Sequence, residues 1–418
     1  MYISEVIIMD KQITPVLLGA DLNCYNVARA FHEKYGVKSY AFGRYAVSAT
    51  KYSKIINFKS IPDIDKDEVM LDVLHRFADA HLGDRLILFG CTDDYVAMII
   101  RNRQELSDYV IPYPDASMLT TVAKKASFYE ICDKYGIPYP GTVVLSEKTQ
   151  AADLIEDKLG FKYPIIVKPS SSADYWKHEF QGMKKVYTAN TPEEAERIVN
   201  EIYSAGYPEK IILQEMIDGG DSQMRVFTTF SDAKGKVRSM CLGHTMLEEH
   251  TPKGLGNHAA IVTEPVSALP MAEKIKEMLE DMGYTGFANF DIKLREGTQD
   301  DFRIFEINLR QGRSNFYMTT AGLNPAWLAN EVFESDGDDC IIVDKSVFWH
   351  HIPRSVAYKY TEDKKLVSRA KELDRAGLES SSVWYRYDMC LNPLRFICVV
   401  EQLRRQKKKF KIYYPKKI

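Results

Sequence analysis

Between residues 15 and 113, short apolar runs alternate with stretches whose apolar residues recur every three to four positions. The runs fall at 16–19, 38–42 and 85–90, and the helical patterns at 25–35 and 70–82. Strand and helix in strict alternation predict βαβ units and a parallel sheet. The turn after the first strand, Gly19-Ala20-Asp21-Leu22-Asn23, has one glycine where a dinucleotide fingerprint needs three, which excludes a nicotinamide site there. Asp93 and Asp94 follow the run ending at Gly90, at the strand edge where such sheets place ligands; the simpler reading makes them N-cap acids of a helix.

The pattern changes after Met118. A helical stretch from Thr120 to Cys132 is stopped by Gly136-Ile137-Pro138-Tyr139-Pro140. The run 163–169 reads as a buried strand with Lys168 at its end, a position that calls for a counter-charge. A loop over 170–182, a strand over 184–188 and a helix over 191–205 follow, the helix opened by a Thr191/Glu194 capping box. A strand at 210–217 leads into the turn Asp218-Gly219-Gly220-Asp221. Residues 224–247 read as antiparallel strands turning at Lys234-Gly235-Lys236, and Ala272, Ile275, Leu279 and Met282 stripe one helix face. Domain boundaries are expected at 12–118, 119–218, 219–330 and 331–418.

Two later segments alternate with period two. In 286–293, Asn289, Asp291 and Lys293 point one way, while Ala288, Phe290 and Ile292 point the other. In 302–310, Glu306, Asn308 and Arg310 are expected opposite an apolar face of Phe305, Ile307 and Leu309. If a loop over 295–301 closes these strands into a hairpin, Asp291 comes near Glu306 and Asn308, and three oxygen donors converge. Hard oxygens suit Mg²⁺, which keeps places for water and phosphate; a solvated amphipathic hairpin would show the same alternation.

Composition narrows the class. With 418 residues, 45% hydrophobic, 27% charged and a net charge of −3, the chain reads as two or three packed domains of an enzyme, with no nucleic-acid partner. Seven dispersed cysteines lack zinc or CxxC spacing and are expected as reduced, mostly buried thiols. Residues 1–10 carry acids where a secretory leader needs basic residues, and no apolar run reaches the ~20 residues needed to span a bilayer, so a cytoplasmic location is expected.

The order is then specific: Lys125 ahead of Gly136-Ile137-Pro138-Tyr139-Pro140, Lys168 at a strand end, a loop, Gln214-Glu215-Met216-Ile217, Asp221, Arg225, and finally Asp291, Glu306 and Asn308. It resembles the ATP-grasp superfamily of carboxylate–amine ligases. Segments such as Asp221-Ser222-Gln223-Met224-Arg225-Val226, Gly286-Phe287-Ala288-Asn289-Phe290-Asp291 and Phe305-Glu306-Ile307-Asn308-Leu309-Arg310-Gln311-Gly312-Arg313 are similar to those of bacterial D-aspartate ligases of peptidoglycan bridge synthesis, over most of the chain.

The resemblance implies an ATP-grasp fold of mixed α/β and α+β class, with an N-terminal parallel α/β domain and a C-terminal extension. It implies ATP held by Lys125 and Lys168, adenine against Gln214, Glu215, Met216 and Ile217, and ribose at Asp221. Mg²⁺ is expected on Asp291, Glu306 and Asn308, and substrate charge on Arg225, Arg310 and Arg313, although Asp221 could instead be a structural partner of Arg225. The implied reaction activates the β-carboxylate of D-aspartate as an acyl phosphate and passes it to the lysine amine of a UDP-MurNAc-pentapeptide precursor. Rivals are an amide ligase of the same fold with another acid or amine, and a nucleotide-binding regulator without turnover. His244 and His258 read as ordinary polar positions. After Glu401 the tail has Arg404, Arg405, Lys407, Lys408, Lys409, Lys411, Lys416 and Lys417 with no acid; it is expected as a solvated, partly ordered segment, with weak contact to a membrane surface the alternative.

Overall fold

The computed structural model describes residues 11–414 except Trp176, Lys185 and Lys253. The first ten residues, read above for the lack of a leader, lie outside the described residues, as do Lys416 and Lys417. The apolar runs of the first third become β1 (Ile13–Leu18), β2 (Ser39–Gly43), β3 (Ile56–Ser60), β4 (Arg85–Gly90) and β5 (Tyr109–Val110), paired in the order β3-β2-β1-β4-β5. Every pairing in this sheet is parallel, as alternation with α1 (Leu22–Tyr35), α2 (Asp67–Ala80) and α3 (Asp93–Arg101) requires. Asp21 caps α1 by accepting from the Cys24 N–H, and Thr92, not Asp93, caps α3.

A second sheet has its own core. β6 (Thr142–Leu145), β7 (Ile165–Pro169), β8 (Tyr187–Ala189) and β9 (Ile211–Glu215) pair antiparallel in the order β6-β9-β7-β8. Ile165, Val167 and Leu213 pack there against Ile198 and Ile202 of the helix Pro192–Ser204. Thr191 caps that helix as expected, but Glu194 reaches the Asn190 N–H rather than completing a capping box. The helix expected over 120–132 is broken: Met118–Thr121 ends, Lys124 is extended at ψ 120°, and a new helix runs Lys125–Tyr135, with Lys125 in its first turn. The strand expected at 184–188 begins only at Tyr187; Lys185 lies outside the described residues.

The third sheet carries β10 (Met224–Ser231), β11 (Val237–Glu248), β12 (His258–Glu264), β13 (Gly286–Leu294) and β14 (Phe302–Asn308), then β15 (Ile341–Ile342), β16 (Phe348–His350) and β17 (Glu379–Ser381). Its order is β14-β13-β10-β11-β12-β16-β17, with β15 on β11. This sheet and the parallel one share a single apolar core, where Phe89 meets Phe287 with ring centroids 5.9 Å apart. The contact is tight at Gly286, whose φ is +78° and where a Cβ would sit 2.0 Å from the Pro112 carbonyl oxygen, so only glycine fits.

The C-terminal residues form an ordered helix rather than a partly ordered tail, although the basic residues from Arg404 to Lys411 stay exposed. A helix runs Pro393–Tyr413 and buries Arg395, Val399, Gln406 and Phe410 along one stripe. Arg395 and Asp388 pair at 2.8 Å with no exposed side-chain surface. Asp388 also accepts from the Tyr25 and Ser53 hydroxyls and the Lys54 N–H, and Arg395 donates to the Ser48 and Lys51 carbonyls. A buried pair whose carboxylate oxygens, and whose Arg395 Nη1, find partners in the N-terminal domain fixes the helix there. Asp388→Ala strands Arg395 without a counter-charge and is expected to cost about 3–5 kcal/mol in denaturant unfolding, partly restored by adding Arg395→Met. A loss under about 1 kcal/mol would mean that the helix is held elsewhere.

Candidate functional site

The β13–β14 hairpin forms with Asp291 opposite Glu306 and Asn289 opposite Asn308, and Asn308 Nδ2 donates to Asp291 Oδ2 at 3.3 Å. The three oxygen-bearing side chains read from the sequence are therefore brought together. The face predicted for Phe305 is corrected: the register shifts between Asp291 and Ile292, Phe305 has no partner of its own, and it is Ile304 that is fully buried with Ile307 and Leu309 close behind. A β-bulge reverses alternation at one residue. Without it, Glu306 would point into the core.

Lys125 Nζ lies 2.5 Å from Glu306 Oε2. Burial opposes the charge on Lys125, but Glu306, with Asp291 and Asp93 further off, outweighs it and holds the amine above its ordinary value. Lys168, at the end of β7, has no ion pair among the described residues. Its Nζ donates to the Gln214 carbonyl oxygen at 2.6 Å, and Gln214 is oriented by donating to the Tyr129 hydroxyl at 2.8 Å and Thr142 Oγ1 at 3.0 Å. Tyr129 in turn donates to the Phe305 carbonyl in the bulge. Burial and the nearby charge of Lys125 push the Lys168 amine down to about 7. Among the described residues no carboxylate pairs directly with Lys168, and a neutral amide stands where the counter-charge was expected.

Beyond Asp291 lies a second cluster. Asp221 accepts from the Glu248 N–H and from His250 Nε2, both at 2.9 Å, rather than pairing with Arg225. His258 Nε2 is 3.5 Å from Asp291 Oδ1 and its Nδ1 3.6 Å from Glu248 Oε1. Burial raises Glu248 to about 7 against the pull of His258. Lys293 Nζ donates to the Ile217 carbonyl, tying the Met216-Ile217 stretch to β13; Glu215 accepts from the Gly141 N–H and from Arg295. Tyr129, Glu248, His250 and Lys293 were missed as site residues, although Lys293 already shared the face of Asp291 in the alternation.

The arginines separate into two settings. Arg225, on β10, donates through Nε to Glu264 at 2.8 Å and through Nη1 to the Ser222 and Met224 carbonyls. Glu264 also meets His244 Nδ1 at 2.5 Å; burial opposes its charge, but His244 and Arg225 hold it down at about 2. Arg310 grips Asp93 with two N–H groups, at 2.7 and 3.2 Å, and Arg313 lies 3.3 Å from Glu249 and 3.9 Å from Asp21. Both belong to the loop after β14, which is anchored to the carboxyl edge of the parallel sheet. There Gln311 donates to the Gly90 carbonyl and accepts from the Tyr113 hydroxyl.

Among the described residues no three His, Cys, Asp or Glu side chains are placed to hold a metal. The set Asp291, Glu306 and Asn308 still fits Mg²⁺, which binds through one or two carboxylates and leaves further positions to phosphate and water. A caged structural metal does not fit.

No protein-family model matches the chain. It is 37% identical over 422 residues to a D-aspartate ligase of Enterococcus faecium, covering 97% of this chain and 98% of that protein. Similar solved structures include an L-amino acid ligase from Bacillus licheniformis, at TM-score 0.52 and 15% identity over 77% of this chain and 74% of that one. The biotin carboxylase domain of a 2-oxoglutarate carboxylase from Hydrogenobacter thermophilus, in complex with MgADP and bicarbonate, matches at TM-score 0.60 and 13% identity, over 81% and 74%. An N5-carboxyaminoimidazole synthetase from Staphylococcus aureus complexed with ADP matches at TM-score 0.55 and 13% identity, over 85% and 87%. The fold they share with this chain is the ATP-grasp fold.

The Lys168 environment is testable without any ligand. Its ¹³Cε resonance is expected to titrate near 7, and Gln214→Glu, which places a carboxylate where the amide oxygen stands, is expected to move that midpoint up by more than one unit. A midpoint near the ordinary lysine value in the unmutated protein would refute the arrangement.

Proposed function

The chain belongs to the D-aspartate ligase family of ATP-dependent carboxylate–amine ligases, and we propose that it couples the β-carboxylate of D-aspartate to the lysine side-chain amine of a UDP-MurNAc-pentapeptide peptidoglycan precursor. The observation that carries the nucleotide part is Lys168: a buried amine facing a neutral amide, beside Lys125 and the Asp291/Glu306/Asn308 set. A cation buried without an anion is unfavourable unless a ligand supplies one. The phosphates of ATP supply it.

In this reading Lys168 and Lys125 hold phosphate charge, Gln214 orients Lys168, and Met216 and Ile217 line the adenine side, with Glu215 fixing that strand and Asp221 toward the ribose. Asp291, Glu306 and Asn308 would hold Mg²⁺, which when bound would neutralise phosphate charge, including that developing on the leaving ADP. Arg310 and Arg313 take the carboxylates of the amino acid, and Arg225 acts from behind through Glu264. The β-carboxylate oxygen attacks the γ-phosphorus and ADP leaves. The amine then attacks the acyl carbonyl, loses a proton and expels phosphate. No enzyme nucleophile is needed, since a carboxylate oxygen becomes a competent leaving group once phosphorylated. The residues' part is to place anionic reactants side by side and offset their repulsion.

Incubation with ATP, Mg²⁺, hydroxylamine and a panel of D- and L-amino acids tests the donor: hydroxamate is expected from D-aspartate, and hydroxamate from L-amino acids alone would overturn the reading. ADP release on adding the precursor tests the acceptor. Glu306→Gln keeps the shape of a proposed Mg²⁺ ligand and removes its charge; it is expected to lower kcat by a factor equivalent to about 2–4 kcal/mol while the melting temperature stays within a few degrees. Near wild-type ADP formation at saturating Mg²⁺ would remove the hairpin from the mechanism.

A further inference from the structure

The helix Pro393–Tyr413 is about 30 Å long and has two differently made sides. Its inner stripe, Arg395, Val399, Gln406 and Phe410, is buried against the body. The outward side of its first two turns is apolar, with Leu394, Phe396, Ile397 and Val400 exposed, Ile397 at 62%. Trp384 stands beside them, its ring 6.0 Å from Phe396, and Leu391, just before the helix, is 99% exposed at φ +55°. Further along, the outward side becomes basic, with Arg404, Arg405, Lys407, Lys408 and Lys411 in solvent and Ile412 and Tyr413 exposed among them. At the opposite end Tyr52 is exposed with Lys51 over its ring, held at this corner by a bond from Asn392 to its carbonyl.

We propose that this outward face is a docking surface for an anionic lipid bilayer, a role beyond the ligase reading. The charges select the occupant. Leaving out the buried Arg395, the helix carries six exposed Lys or Arg (Arg404, Arg405, Lys407, Lys408, Lys409 and Lys411) and one acid, in a chain whose net charge is −3. That acid, Glu401, is already met by Arg404 at 2.8 Å and Arg405 at 2.9 Å. A second copy of the chain would set basic turns against basic turns, or against the apolar ones, and leave the charge unmatched. An anionic membrane matches both halves at once: the apolar end enters the acyl boundary while the lysines and arginines lie among headgroup phosphates. Trp384, Tyr52 and Tyr413 are residue types that favour the interfacial layer. No helix among the described residues is long and apolar enough to cross a membrane, so the contact is peripheral. The face is preformed, because Arg395 and Asp388 pin the helix from inside. The inner side of the same helix touches the site: Gln406 Nε2 lies 3.3 Å from Glu249, the partner of Arg313, so docking and substrate binding share one rigid element.

Co-sedimentation of the full chain with vesicles tests this independently of turnover. The protein is expected to sediment with phosphatidylcholine vesicles containing about a third phosphatidylglycerol, not with phosphatidylcholine alone, and to be released as salt is raised to about 0.5 M. Lys407→Gln and Lys408→Gln should each weaken partitioning about five-fold. Leu394→Glu/Ile397→Glu should abolish it, with melting temperature and hydroxamate formation from soluble substrates unchanged. The proposal is overturned if the folded protein ignores anionic vesicles or binds both kinds equally. It is overturned too if light scattering finds a dimer that Ile397→Glu splits while vesicles have no effect.

Discussion

The geometry of the site depends on one buried polar junction, at Gln311. This side chain has no exposed surface; its amide donates to the Gly90 carbonyl, lies 3.5 Å from Asn23 Oδ1, and its oxygen accepts from the Tyr113 hydroxyl. Asn315 adds a bond to the same Asn23 oxygen at 2.7 Å. A buried polar network with this many shared bonds admits few alternative placements, since any slip strands several donors and acceptors together. Here it locks the loop after β14 to the carboxyl edge of the parallel sheet. Arg310 and Arg313, on either side of Gln311, are thereby presented beside Asp93 and Asp21. One junction joins the two halves of the site.

Opposite that loop, charge is organised by imbalance. Lys125 has Glu306, Asp291 has His258 nearby, and Glu264 has Arg225 and the His244 ring. Lys168 alone of the expected site lysines faces a neutral group. Placing a carboxylate at 214 would satisfy the amine permanently and repel an incoming phosphate; an amide keeps the cation ordered without neutralising it. The chain Lys168–Gln214–Tyr129–Phe305 links the antiparallel sheet to the bulge of β14, so Lys168 and the Asp291/Glu306/Asn308 hairpin are positioned by a continuous run of hydrogen bonds.

Much of this was legible in the chain. Period-two alternation located Asp291, Glu306 and Asn308, and the βαβ rhythm gave the parallel sheet, because each rests on local spacing that burial enforces. The bulge at Phe305 was not legible: a single inserted residue leaves the composition of the strand unchanged and shows only in the register. Nor was the partner of Arg225, because Glu264 lies 39 residues away, on a strand brought near through β11. The tail was misread for a related reason. Its polar residues resemble a solvated segment until Arg395 and Gln406 are seen to fill buried positions of the helix stripe, a choice made by Asp388 and Glu249 in other elements.

The two settings of arginine give different capacities to exchange partners. Arg225 is 7% exposed at its side chain, and its Glu264 partner is shared with His244, so a substrate carboxylate would have to break a buried, cooperative set; removing one partner of such a pair costs about 3–5 kcal/mol. Asp93, the partner of Arg310, is 68% exposed while Arg310 itself is 15% exposed, so the carboxylate half of the pair sits in water and can leave without being stranded in the core. A bidentate carboxylate from solution can therefore replace Asp93 at little cost and accept the same two N–H groups, while Asp93 returns to water at the start of α3. Arg313, 31% exposed between Asp21 and the buried Glu249, is intermediate. Exchange on this scale makes Arg310 the arginine best able to trade its partner for a carboxylate from solution, and Arg225 one fixed in the wall behind it.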